Sequence, residues 1–272
     1  MTATNGIKGR VIALTGGGGV LCGTMARALG RLGAKVAVLD LLEQAARKVA
    51  GDIQASGGAA LAVKCDVLDK KSIEAALECI NDGLGPVDVL VNGAGGNKKE
   101  ATTGTDLSFF DLPVEAAKFV FDLNFIGTLL ACQVFGRRMA DRDAGVILNV
   151  SSMAAIRPLT KVVGYSAAKA AVNNFTQWLA VHLCRNYSRG IRVNAIAPGF
   201  FLTEQNRFLL TDRKTGNLTE RGKTIIEHTP MGRFGEPDEL IGTVVWLIGD
   251  ASKFVTGTVV PIDGGFSAFS GV

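Results

Sequence analysis

The chain has 272 residues, 47% of them hydrophobic and 20% charged, which excludes a disordered polypeptide and suits one large α/β domain with a buried core. The net charge of +4 is spread along the chain without a block of like charges, an argument against a nucleic-acid partner. Five cysteines without a CxxC pair and only two histidines, His182 and His228, argue against a disulfide framework and leave no metal site to expect.

No apolar run approaches the length of a membrane span, and MTATNGIKGR lacks the apolar core of a secretion signal. No membrane partner is expected, and the expected compartment is the cytoplasm. His182, in an apolar helical pattern, reads as a packed or capping residue, and His228 reads as a surface residue.

In chain order, the first apolar run is VIAL at 11–14, followed by the glycine-rich stretch Thr15–Gly23, TGGGGVLCG, and a helical pattern over Met25–Leu32. Glycines let a backbone approach a pyrophosphate, and a helix start supplies free N–H groups. The next strand, VAVLD at 36–40, ends in Asp40, 24 residues after Gly16. A carboxylate there can accept bonds from both hydroxyls of an adenosine ribose and repels a 2′-phosphate. NAD is therefore expected ahead of NADP.

ALAVK at 60–64 leads into Asp66 and Val67, which can meet adenine through a carboxylate and an N–H. After a helix over Ser72–Ile80, VDVLVN at 87–92 ends in Asn92 with the small residues Gly93 to Gly96. A long helical pattern, Glu115–Met139, precedes VILNVS at 146–151 and Ser152. Then comes Tyr165-Ser-Ala-Ala-Lys169, opening a helical segment that continues over Ala167–Leu183. Residues four apart share a helix face. A tyrosine with an ordinary pKa of about 10 is a poor base, and a neighbouring ammonium lowers that value. Tyr165 can then exchange a proton with an alcohol or carbonyl oxygen, and Ser152 can hold that oxygen beside it.

Two strands remain, IRVNAIA at 191–197 and TVVPID at 258–263, separated by a polar excursion from Phe201 to Thr229. An irregular insert of that length suits a lid or binding loop and a plain surface excursion equally. Strands alternating with helices, apolar on both faces, predict a doubly wound parallel sheet of the Rossmann kind with helices on both sides. The reading is one domain over 1–272 with a substrate lid around 200–230.

The glycine turn, Asp40, Asp66, NGAG at 92–95, Asn124 in LNFIGT, Ser152, YSAAK, RVNAIAPG at 192–199 and IDGG at 262–265 together resemble the short-chain dehydrogenase/reductase family over essentially the whole chain. The resemblance implies an NAD-dependent oxidoreductase acting on a secondary alcohol or ketone. It implies Tyr165 as the acid/base, Lys169 as the group that tunes it and binds the nicotinamide ribose, Ser152 as the substrate-orienting hydroxyl and Asn124 as the holder of a relay water. The implied cofactor-binding set is Gly16, Gly19, Leu21, Asp40, Asp66, Val67, Asn92, Ala94, Tyr165, Lys169, Pro198 and Thr203. Val20 and Cys22 stand where the family has glycines, so either Gly19 meets the pyrophosphate in a rearranged turn or those two offer only backbone N–H groups.

Basic and polar groups near the expected mouth, Asn97, Lys98, Lys99, Arg157, Lys161 and Arg207, suit a carboxylate-bearing substrate or a solvated surface equally. Shorter loop motifs, NGAGGNKKEATT, GNLTERGK, HTPMGRFGEP and DGGFSAFSGV, resemble the D-mannonate oxidoreductase (fructuronate reductase) branch. That implies a sugar-acid substrate, D-mannonate interconverting with D-fructuronate. Gluconate, another polyol, a 3-oxoacyl thioester, or a catalytically silent NAD-binding regulator are the alternatives. The family implies a homotetramer, and the apolar helix after YSAAK and the tail FSAFSGV suit subunit contacts.

Overall fold

The computed structural model describes residues 6–202, 210–212 and 215–271. Seven strands pair in parallel in the order β3-β2-β1-β4-β5-β6-β7. They are β1 (Val11–Thr15), β2 (Lys35–Asp40), β3 (Ala59–Lys64), β4 (Val89–Asn92), β5 (Gly145–Val150), β6 (Ile191–Pro198) and β7 (Val259–Ile262). Each of the seven apolar runs forms a strand. The doubly wound sheet expected from their alternation with helices is the fold observed.

The described helices are α1 (Val20–Arg31), α2 (Glu43–Ala55), α3 (Lys70–Gly83), α4 (Val114–Phe121), α5 (Gly127–Asp141), α6 (Val163–Asn186), α7 (Glu220–Glu227) and α8 (Ile241–Ile248). Successive strand residues face opposite sides of the sheet, so each apolar strand feeds two cores. Ile12, Leu14, Val36 and Val38 pack with Leu29 and Ile53 of α1 and α2 and with Val244 and Leu247 of α8. Ala13, Ala37, Leu39 and Leu90 pack on the other side with Ile73 of α3, Phe135 of α5 and Leu179 of α6. Helices cover both faces because both faces are apolar.

Strand order reverses between β1 and β4, the neighbours at the centre of the sheet. There Thr15 Oγ1, at the carboxyl end of β1, accepts from Gly93 N at 3.1 Å and Ala94 N at 3.2 Å. Those two amides begin the turn after β4, so one hydroxyl holds both sides of the crevice where such sheets bind ligands.

One helical stretch, Val114–Asp141, is long and apolar enough to cross a bilayer by length and composition, and 50% of its apolar window is buried inside the fold. The sequence pattern gives this stretch as one long helix, Glu115–Met139, and the structure adds a π turn, Asp122–Ile126, that joins α4 to α5 within it. Within that turn Asn124 is fully buried.

Candidate active site

A cavity of about 770 Å³ lies at the carboxyl ends of the strands and runs from Asp40 and Asp66 to Ser152, Tyr165 and Lys169. The first turn determines one wall. Gly16 has φ +63, and a Cβ there would press on the Ala94 backbone at 2.8 Å, so only glycine closes this turn. Gly19 is the N-cap of α1, and Val20, Leu21 and Cys22 form its first turn. All four line the cavity. The amides of a helix's first turn have no carbonyl within the helix, so this turn can present N–H groups and a partial positive charge to an anion.

Cys22 departs from the expected glycine, and the turn after β4 accommodates it. A side-chain carbon on Gly93 would collide with Cys22 Sγ. The thiol therefore occupies space that a bare Gly93 leaves, and burial pushes its pKa up to about 12, so it packs as an inert group.

Asp40 ends β2, and its two oxygens are fixed by separate amides. Oδ2 accepts from Gly18 N at 3.0 Å and Oδ1 from Leu42 N at 2.9 Å. A Cβ on Gly18 would lie 2.9 Å from Oδ2. Each carboxylate oxygen retains acceptor capacity toward the cavity. Asp66 is held the same way, Oδ1 accepting from Leu68 N at 2.9 Å, and with Val67 it lines the same end. A turn with room for a pyrophosphate, a pinned carboxylate for ribose hydroxyls and an acidic end beside them fit an adenine dinucleotide. Among the described residues no group of three or more histidines, cysteines or acids could hold a metal ion.

The other end combines groups from β5 and α6. Ser152 follows β5 in extended conformation, and its Oγ accepts from Ala154 N at 3.1 Å. Tyr165 sits in the first turn of α6, hydrogen-bonded to Ser152. Burial raises the phenol's pKa, and the Ser152 bond pulls the other way. The direction is opposite to that expected from the Lys169 ammonium alone. That ammonium lies 5.8 Å from the Tyr165 ring centroid and donates to Val150 O at 2.8 Å. Burial also brings its own pKa down to about 8.

Asn124 stands behind this pair. Its Nδ2 donates to Gly96 O and Val120 O, both at 2.7 Å, and its Oδ1 accepts from Gly96 N at 3.1 Å. Its backbone carbonyl accepts from Thr128 Oγ1 at 2.9 Å. Both amide protons go to backbone carbonyls, so the side chain clamps the turn after β4. A Cβ on Gly95, in that turn, would meet Asn124 Oδ1 at 2.5 Å and Lys169 Nζ at 3.3 Å.

The remaining expected residues divide. Ala94, Pro198 and Asn97 line the cavity. Asn92 does not. Its side chain is buried between β4 and β5, where Nδ2 donates to Asn149 Oδ1 at 2.9 Å. Lys98 stands 3.6 Å over the Phe119 ring. Lys99 opens a short 3-10 turn, and Arg157 Nε donates to Ser267 O at 3.0 Å. Lys161 has φ +74 and its carbonyl accepts from Thr103 N at 2.9 Å. Of these four cations none lines the cavity. Thr203 and Arg207 lie outside the described residues.

Sequence reasoning assigned no role to Thr15 or to a buried polar chain behind α6. Asn149 Nδ2 donates to Thr176 Oγ1 at 2.9 Å, and Thr176 Oγ1 donates to Val172 O at 2.8 Å. Asn149 and Thr176 are fully buried. Their chain tethers α6, which carries Tyr165 and Lys169, to β5. No spacing rule could have found them, since the contact forms between elements far apart in sequence.

Fold and site together define a Rossmann-type nucleotide-binding protein with a serine, a tyrosine and a lysine gathered at one end of its cleft. The family profile adh_short_C2, described as enoyl-(acyl carrier protein) reductase, matches residues 21–267. The Bacillus subtilis (strain 168) protein named Uncharacterized oxidoreductase UxuB is 50% identical over 275 residues, 98% of either chain. The 5-keto-D-gluconate 5-reductase of Escherichia coli (strain K12) is 34% identical over 260 residues, 95% of this chain and 96% of its own. A crystal structure from Haemophilus influenzae, presented as a candidate D-mannonate oxidoreductase with bound NAD, superposes with TM-score 0.92 at 46% identity over 100% of both chains. The chain belongs to the short-chain dehydrogenase/reductase family and is an oxidoreductase.

Proposed function

We propose that this chain is an NAD-dependent oxidoreductase that interconverts a secondary alcohol and a ketone on a sugar acid, with D-mannonate and D-fructuronate as the pair. The observation that carries the reading is the placement of Ser152, Tyr165 and Lys169 at one end of a cavity whose other end is the pinned Asp40 carboxylate. The nicotinamide supplies or accepts the hydride when bound. Tyr165 gives a proton to the carbonyl oxygen in reduction and takes it back in oxidation, and Ser152 holds that oxygen. Lys169 fixes the ribose side, and Asn124 holds the turn against which it packs. Val20, Leu21 and Cys22 offer backbone amides to the pyrophosphate, and Asp40 takes the ribose hydroxyls.

The substrate assignment is supported by the 46% identical NAD-bound structure presented as a candidate D-mannonate oxidoreductase. The 34% identity to a 5-keto-D-gluconate reductase supports the neighbouring reading, another keto sugar acid undergoing the same chemistry. The test is NADH consumption with D-fructuronate, 5-keto-D-gluconate and a 3-oxoacyl thioester, repeated with NADPH. D-fructuronate with NADH should be fastest, and Tyr165→Phe should abolish it. Preference for the thioester or for NADPH would overturn the assignment.

The same reading includes a homotetramer in the cytoplasm. Trp178, Val181 and Tyr187 of the α6 region are 54%, 60% and 63% exposed, beside an apolar groove between α5 and α6, which supports subunit contact there. All five cysteines are free thiols, in keeping with a reducing compartment. Light scattering reports the assembly, and a monomer at working concentration would exclude it.

A further inference from the structure

Beyond β7 the chain turns back toward Phe200, a residue of the cavity wall. Asp263 turns it, Oδ1 accepting from Gly265 N at 3.0 Å and Oδ2 from Ser267 N at 2.9 Å. Gly264 O accepts from Met231 N at 3.1 Å, and a Cβ on Gly265 would come within 3.1 Å of Pro230, so the turn lies flat on the segment after α7. From there the Phe266 ring packs edge-on against Phe200 at 5.3 Å, and Phe200 is part of the cavity wall. Phe266 and Phe269 also flank His228, each 6.4 Å from its ring. On the opposite side Ser267 O accepts from Arg157 Nε at 3.0 Å. Arg157 lies five residues beyond Ser152 in the same loop.

The segment is therefore fastened on one side to α7 and on the other to the loop carrying the substrate-orienting serine. We infer that Gly264–Phe269 is a strap that backs Phe200 of the cavity wall and so keeps the substrate end compact, and that Arg157 is a positioning residue that latches the strap. The inference rests on the proposed function for which end of the cavity receives substrate. Arg157 does not line the cavity, and its Nε is engaged by a backbone carbonyl, so the latch needs a hydrogen-bond donor at that reach and no positive charge. A substrate-carboxylate ligand would need the charge.

That difference supplies the test. Glutamine places its amide nitrogen the same number of bonds from the backbone as arginine Nε, so Arg157→Gln keeps the donor and loses the charge. Arg157→Met loses both. Hydrogen exchange of the strap amides is measured in the full chain, with NADH affinity and the D-fructuronate KM and kcat. R157M should speed strap exchange and raise KM about tenfold at nearly constant kcat and NADH affinity, the scale of one hydrogen bond lost. R157Q should keep strap protection and KM close to the parent.

If R157Q and R157M raise KM equally while strap exchange stays slow, Arg157 binds substrate charge and the latch is wrong. Unchanged exchange in R157M also sinks it. If no sugar acid is turned over at all, the exchange contrast between the two variants still decides the latch, while the proposed substrate fails separately.

Discussion

Lys169 Nζ donates to the carbonyl of Val150 at 2.8 Å, so the cation beside Tyr165 is anchored to strand β5 and is 4% exposed. Burial destabilises the ammonium as a charge, which brings its pKa to about 8 from 10.5. Between those values the unfolded chain binds more protons than the folded one, so the lysine's contribution to stability rises with pH there and is flat below. The gain is on the order of 3 kcal/mol for a shift of that size. Thermal unfolding of the ligand-free protein and of Lys169→Met across pH 7 to about 10 measures it. The parent should gain on the variant as pH rises, and a gap that stays constant contradicts the assignment.

Tyr165 should make the two directions of reaction respond oppositely to alkali. Burial raises its phenol, so the proton-donating form persists through neutral pH and the base form grows only as pH rises. Carbonyl reduction should be level near neutrality and fall at high pH, while alcohol oxidation climbs. Initial rates in both directions across the same buffers provide the check.

Gly93 and Cys22 share one space. Gly93→Ala should lower cofactor affinity and thermal stability, because the added methyl collides with Cys22 Sγ. Combining it with Cys22→Gly should restore part of the loss. Rescue stays partial because Thr15 O remains 3.0 Å from the new carbon. Additive effects in the double mutant, measured by unfolding and NADH titration, would mean the two positions do not compete.

Thr176→Val retains shape and removes the hydroxyl that receives Asn149 Nδ2 at 2.9 Å. A buried donor without its partner costs about 1–3 kcal/mol. Because α6 loses a tether to β5, kcat should drop severalfold with NADH affinity little changed. Denaturant unfolding and steady-state kinetics read the two effects separately. Thr176→Ser should recover both.

The strands were legible because each is a short run of Val, Ile and Leu between turn residues, and their alternation with helices determined the sheet. Tyr165 and Lys169 were legible because four-residue spacing on a helix is a local rule. The cations were not. Lys98, Arg157 and Lys161 sit near the mouth in sequence, but an aromatic ring, a tail carbonyl and a left-handed backbone engage them and none lines the cavity. Asn92 likewise lies at the right strand end, yet its amide turns toward Asn149 because β4 and β5 are neighbours in register there. Such choices depend on partners that no local window contains.

The π turn at Asp122–Ile126 has an evolutionary consequence. A π turn holds one residue more than the α turn it replaces, and each residue advances a helix by about 100°. Deleting one residue there would smooth the helix and leave most of its apolar content intact. It would also swing Asn124 a little over a quarter of the way around the axis, away from Gly96, or put all of α5 out of phase with the sheet. Sequences related to this one should therefore tolerate substitution within the turn far better than any change in its length.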